Sequence, residues 1–219
     1  MGTKERHQRD RDRTRSAILT AARDLFVAEG YRNVSMRKIA ERIEYSPAAI
    51  YSYFPSKDDI FFALTEEGFR LLAGHLASAA ATADPLGRLR HGLWAFYDFS
   101  KTHPEYFELM FVDRSVPSLT QDFQRFEFFQ ETTARAEADI AACISRGDFA
   151  AGLNPAAALH VLWVGMLGAA TIGLAQRLAP GEDPDALARD TLVAALAGLR
   201  AGIPLSFQSK ACGDSPARS

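Results

Sequence analysis

From Thr14 onward, apolar residues recur in the rhythm of a helix that buries one side. Ile18, Ala21, Ala22, Leu25 and Phe26 fall at i, i+3, i+4, i+7 and i+8, and Gly30 follows where a helix C-terminus wants a residue tolerant of positive φ. The spacing predicts a first helix of about four turns. Ser35 can cap a second, MRKIAERI, whose inner face is Ile39, Ala40 and Ile43. Ser46 and Pro47 supply an N-cap and an N1 proline for a third, which Pro55 must end. Ser56 caps a fourth, with Asp58 and Asp59 favourably placed on its dipole. Further helical stretches are predicted over 57–80, 85–102, 104–112, 119–146, 155–178 and 184–202, several opened by Asp84-Pro85, His103-Pro104 or Asn154-Pro155. No strand-like alternation of any length appears, so the fold class is all-α.

Residues 1–13, MGTKERHQRDRDR, are almost devoid of apolar side chains and predict a flexible basic arm. The tail 204–219, rich in Ser, Gly and Pro, is expected to be disordered. The pattern thus divides the chain into that arm, a three-helix unit at 14–57, a larger helical domain at 58–203 and the tail.

The third helix carries an unusual outer face. At about 100° per residue Ile50 and Phe54 share the side that must meet the first two helices, leaving Ala48, Ala49 and Ser52 outward with Tyr51 and Tyr53 on the flanks. Small side chains let a helix backbone approach base edges in the DNA major groove, and flanking hydroxyls can bond phosphates. The two-residue turn Glu44-Tyr45 has the size a helix-turn-helix requires, and Arg37 and Lys38 lie in the first turn of the second helix. Lys57, opening the fourth helix, can grip a phosphate together with free main-chain amides. Arg11, Arg13 and Arg15 can follow the DNA backbone or enter a minor groove from the arm.

Charge supports this division. Residues 1–57 carry 12 Lys/Arg against 7 Asp/Glu, whereas the rest of the chain carries 13 against 20, so only the first part suits a polyanion.

These motifs resemble the DNA-binding domain of the TetR family of bacterial transcriptional regulators. The resemblance covers about 50 residues and rests on Phe26-x3-Gly30-Tyr31, Ser35-x-Arg37-x-Ile39-Ala40, Ile50-Tyr51-x-Tyr53-Phe54 and Lys57. It implies base reading by Arg37, Pro47, Ala48, Ala49 and Ser52, and phosphate contacts by Ser35, Ser46, Tyr51, Tyr53 and Lys57. One departure stands out: Glu44 occupies a place where the family commonly has Gly, so a left-handed residue there costs about 1 kcal/mol and sets an acid beside DNA.

For the larger domain the resemblance implies helical effector binding and dimerisation. Residues 94–129 are dense in aromatics, which predicts an apolar pocket walled by Trp94, Tyr97, Phe107, Met110, Phe111, Phe126, Trp163 and Met166. Gly165, Ala169 and Gly173, four apart, make a smooth stripe that admits a close helix, and Leu192, Leu196 and Leu199 line the last helix. Two such helices from each subunit predict a four-helix homodimer interface, as in the family. Trp163-Val164-Gly165 is similar to the Trp-His-Gly of one subset, with His replaced.

Other chemistry finds little footing. The five histidines show no HxxxH or HExxH spacing and Cys143 and Cys212 form no CxxC pair, so no metal and no cofactor are expected. Ser35-Met36-Arg37-Lys38 fits the SxxK of acyl-transfer enzymes, but its SDN and KTG companions are missing, and no enzyme is predicted. His160 is expected to be a satisfied buried imidazole. The apolar run Val161 to Ala175 is shorter than the ~20 residues of a spanning helix, no signal peptide opens the sequence, and Arg6 stands where myristoylation wants Ser or Thr; no membrane partner and a reducing cytoplasm are expected. The reading is a dimeric repressor on a pseudo-palindromic operator, released by a small apolar effector. Its alternatives are an activator or constitutive regulator without an effector and, more remotely, a helical enzyme or lipid carrier bearing a helix-turn-helix.

Overall fold

A computed structural model describes residues 3–77, 84–113, 115 and 127–207, and among these residues there are helices and turns but no strand. The helices are α1 (Thr3–Glu29), α2 (Met36–Arg42), α3 (Pro47–Tyr51), α4 (Lys57–Ala77), α5 (Pro85–Thr102), α6 (Pro104–Phe107), α7 (Glu127–Arg146), α8 (Pro155–Leu174) and α9 (Pro184–Ala201). The chain forms two compact units. One holds the described residues up to Arg70 together with 103–115, and the other holds Leu71–Thr102 and 127–207.

In the first unit, Ile18, Ala22 and Phe26 of α1, Ile39 and Ala40 of α2, Ile50 of α3, Phe54, and Ile60, Phe61 and Leu64 of α4 are all buried. Helices α2, α3 and α4 each start on a serine cap. Ser35 Oγ accepts from the Lys38 amide at 3.2 Å, Ser46 Oγ from the Ala49 amide at 3.2 Å, and Ser56 Oγ from the Asp59 amide at 3.1 Å. Phe26, Tyr31 and Phe61 meet at tilted and edge-on angles in series, with centroids 5.1 and 5.5 Å apart. After α5 the chain returns to this unit. Buried Tyr106 and Phe107 of α6 lead into a π turn, Glu108–Val112, which lies on α4 at Gly68. A methyl at Gly68 would collide with Met110 Sδ, so this placement of the Met110 side chain needs glycine there.

The second unit packs α5, α7, α8 and α9 about Leu93, Phe96, Phe99, Ile140, Cys143, Leu162, Met166, Leu192, Leu196 and Leu199. The Arg88 guanidinium grips Asp139 from α5 to α7, at 2.5 Å from Nη2 to Oδ1 and 3.2 Å from Nε. Burial pushes the Cys143 thiol up to about 11, leaving it a small core residue.

Three expectations are corrected here. Residues 3–13, read as a flexible arm, are the first turns of α1: their Lys, Glu, Arg and Gln are good helix formers, and Gln8 donates to Asp12 at 3.0 Å while the Thr14 hydroxyl donates to the Asp10 carbonyl at 3.0 Å. The stretch 104–112 is not one regular α-helix but a single α turn, started at Pro104, followed by a π turn. α8 begins at Pro155 and spans 20 residues, ending at Leu174 before Gln176 at φ 49°. By length and composition it is therefore long and apolar enough to cross a membrane, but its Leu162, Met166, Ala169 and Ala170 are buried against protein. Residues 78–80, 119–126 and 208–219 lie outside those described.

Candidate nucleic-acid interface

Sequence places α3 on the surface of the first unit by giving it only Ile50 to bury. Pro47, Ala48 and Ser52 are exposed, Ala49 is half-buried, Tyr51 is 53% exposed and Tyr53 is half-buried. One side of a five-residue helix thus offers two methyl groups and a hydroxyl, with a phenol at either flank. The Ser52 hydroxyl donates to the Ala49 carbonyl at 2.6 Å, which leaves its lone pairs outward as acceptors. The capping oxygens of Ser35 and Ser46 take a main-chain amide, so each hydroxyl proton remains free to be donated to an external anion. The caps that build α2 and α3 are in this way also candidate phosphate ligands.

Arg37 projects from the first turn of α2 with its side chain 81% exposed, its Nε 2.8 Å from Glu41 Oε1. Such an exposed pair contributes little and is readily exchanged for a base edge. Lys38 is turned aside, paired with Glu29.

Lys57 has a different task from the one its position suggests. Its ammonium donates to the carbonyls of Tyr31 at 2.8 Å and Val34 at 2.9 Å and sits 4.1 Å from the centroid of the Tyr31 ring; burial there lowers its pKa. The Tyr31 hydroxyl in turn donates to Asp58, and burial, with this bond, raises the pKa of Tyr31. The ammonium fastens the α1–α2 link to α4, and any anion at this helix end would meet the first-turn amides instead.

Glu44 lies at φ 59°. The Tyr45 amide donates to the Ala40 carbonyl at 2.9 Å and the Glu44 amide to the Glu41 carbonyl at 3.3 Å, the paired bonds of a Schellman ending, so the left-handed residue expected at this departure from the family pattern is present. Tyr45, 45% exposed with its hydroxyl 3.5 Å from that of Thr14, joins this surface although sequence reasoning did not single it out. A tyrosine inside a two-residue turn, with no apolar partner in register, is the signal that would have found it.

The expected pocket residues divide between the units. Phe107, Met110 and Phe111 belong to the first, where Phe107 and Phe111 stack at 5.2 Å and Met110 fills the space over Gly68. Trp94, Tyr97, Trp163 and Met166 belong to the second. Tyr97 is buried and its hydroxyl donates to Asp185 Oδ1 at 2.8 Å, pinning α9 to α5; Trp94 stacks on it at 5.1 Å, Trp163 lies 6.2 Å from Phe96, and Met166 is fully buried. Phe126 is outside the described residues. His160, half-buried, directs Nδ1 to the Ala156 carbonyl at 2.8 Å.

The expected dimer stripe is corrected. A methyl at Gly165 would meet Thr191 Cγ2 at 3.2 Å and one at Gly173 would meet Pro184 Cβ at 3.6 Å, while Ala169, Leu192, Leu196 and Leu199 are buried. These residues bring α8 and α9 of one chain together, because the smooth stripe admits the nearest helix, and that helix is its own sequence neighbour. The outward side of the pair instead carries Val161, Val164 and Ile172 of α8 and Leu187 and Val193 of α9, five of the nine large apolar side chains exposed among the described residues. Gly168 lies with them and has open space above it.

Two family models match the chain: bacterial regulatory proteins, tetR family, over residues 18–64, and tetracyclin repressor-like, C-terminal domain, over residues 89–196. It is 31% identical over 111 residues to the HTH-type transcriptional activator FasR of Mycolicibacterium smegmatis, a match that spans only about half of each protein, 50% of this chain and 51% of FasR. It is 30% identical over 178 residues to the HTH-type transcriptional repressor Rv1474c of Mycobacterium tuberculosis, covering 80% of this chain and 87% of that one. Among solved structures, AibR in complex with isovaleryl coenzyme A and operator DNA shares the fold with a TM-score of 0.64 at 18% identity, over 81% of this chain and 95% of AibR.

Proposed function

Because the chain belongs to the TetR family of bacterial transcriptional regulators, which are not enzymes, we propose that it is a ligand-responsive repressor that binds a pseudo-palindromic operator as a homodimer. The observation that carries this reading is the outer face of α3: small side chains bordered by two tyrosines and by Arg37, on a helix capped and braced from behind. Ala48 and Ala49 approach thymine methyls and Arg37 reads one base pair. Ser35, Ser46, Tyr51 and Tyr53 bond phosphates, joined at the start of α4 by main-chain amides. Two copies place their α3 helices in successive major grooves, about 34 Å apart. The dimer face is the outward side of α8 and α9, centred on Val164, Gly168 and Val193. The exposure of apolar residues there supports it. A partner on double-stranded DNA sets the protein in the cytoplasm.

The effector carries an apolar acyl group, and the AibR complex suggests its class, a short acyl thioester. Trp94, Trp163 and Met166 of the second unit are the candidate walls for its acyl part. Binding favours a conformation in which the two recognition helices no longer match the groove spacing, and affinity for the operator falls. The likeness to FasR, a named activator, favours a second reading in which the same DNA-bound dimer promotes transcription.

Selection of fragments from a random DNA pool at near-physiological salt tests the proposal. Wild type is expected to recover an inverted repeat, Tyr51→Ala to lose it, and isovaleryl coenzyme A to release the recovered duplex. Salt-sensitive binding without sequence preference would sink the recognition-helix assignment.

A further inference from the structure

The helix that replaces the expected arm is phased on the rest of α1. At about 100° per residue Arg11 and Arg15 continue the stripe of Ile18 and Ala22, whereas Asp10 and Asp12 each lie about 100° to one side of Arg11 and Arg13 points about 200° away from it. One stripe is therefore apolar where α1 covers the three-helix core and cationic where it overhangs the end of α3. The structure places aromatic rings beneath that cationic part. Arg11 Cζ lies 5.8 Å from the centroid of Tyr53 and Arg15 Cζ 5.1 Å from that of Phe54. A guanidinium lying on a ring keeps its edge donors outward, and the exposed residues 11 and 15 are held without being neutralised by a stacked carboxylate. On the flank of α3 beside them stands Tyr53.

We infer that Arg11 and Arg15 form a preorganised phosphate clamp at the outer edge of the recognition helix, in which the Tyr53 ring orients Arg11 toward the DNA backbone. The clamp rests on the DNA-binding reading above and extends its footprint along the backbone beyond the groove that α3 enters. It differs from the action of a mobile basic arm, which attracts DNA through its total charge whichever arginine is removed. Here position on the helix decides: Arg11 acts through Tyr53, and Arg13, on the far side, does not.

The test is the salt dependence of binding to the duplex that wild type selects, followed by fluorescence anisotropy for the full chain. Arg11→Ala is expected to lower the slope of log K against log salt by about two per dimer, one for each phosphate released, while Arg13→Ala leaves it at the wild-type value. Tyr53→Phe keeps the ring and so preserves the effect of Arg11→Ala; Tyr53→Leu removes the ring and abolishes it. Equal effects from Arg11→Ala and Arg13→Ala, or an Arg11→Ala effect undiminished in Tyr53→Leu, would overturn the clamp in favour of unspecific charge. Failure of wild type to select any duplex would instead overturn the DNA-binding reading, and the clamp with it.

Discussion

The ammonium of Lys57 stands 2.9 Å from the main-chain carbonyl oxygen of Val34 and donates to it. With the Tyr31 carbonyl at 2.8 Å it closes the 3₁₀ turn Tyr31–Asn33 onto the start of α4. Lys57→Ala leaves two carbonyls without their donor. Stability should fall by about 1–3 kcal/mol in urea unfolding, while the salt slope of DNA binding stays at the wild-type value. A lowered slope with unchanged stability would return the ammonium to the phosphate.

Glu44 holds a left-handed conformation that glycine adopts without strain. Glu44→Gly relieves about 1 kcal/mol, partly offset by the roughly 0.5 kcal/mol that glycine's freedom costs in the unfolded chain. It also removes an acid two residues from the Ser46 cap. A modest gain in unfolding midpoint should accompany tighter DNA binding at low salt, and a loss of both would contradict the strain argument.

Arg37 makes an exposed pair with Glu41, so Arg37→Ala should change stability by less than about 0.5 kcal/mol. Its effect belongs to recognition. Affinity for the selected duplex should fall by about 1–3 kcal/mol with relaxed choice at one base pair. Equal losses on selected and random duplexes would remove its base-reading role.

The two faces of α8 and α9 separate association from folding. Val164→Glu or Val193→Glu, each at a residue 55% exposed, should yield a folded monomer in sedimentation with unchanged helical circular dichroism. Gly165→Leu, pressed against Thr191, should instead lower the unfolding midpoint. A dimer that survives both glutamates would move the interface elsewhere.

Asp185 accepts from the Tyr97 hydroxyl and, at 3.1 Å, from Lys101, and these bonds hold its carboxyl below the ordinary value of 3.8. Between the lowered value and 3.8 the unfolded chain binds more protons than the folded one, so this contribution rises with pH and is lost as pH falls through the folded value. In urea unfolding from about pH 6 down to 3, Asp185→Asn should flatten the acid limb. An unchanged limb would show that the Tyr97 clasp contributes nothing to acid stability.

Local order was open to sequence reasoning because it depends on near neighbours. Ser35 and Ser46 cap the helices that the placement of Ile39 and Ile50 predicts, Ser56 caps α4, and the bare outer face of α3 follows from helical geometry once Ile50 and Phe54 are set inward. Tertiary structure decided the partners. Whether the Lys57 ammonium meets a phosphate or a carbonyl depends on where Val34 passes, 23 residues away. Whether the Gly165 stripe mates with another subunit or with α9 depends on which helix arrives first, and a short connection favours the one next in sequence. Residues 3–13 are helical through i, i+4 pairs that their low hydrophobicity concealed. Periodicity and caps are one-dimensional signals that a sequence carries in full, whereas the destination of a long or smooth side chain is fixed only when distant segments compete for it in space.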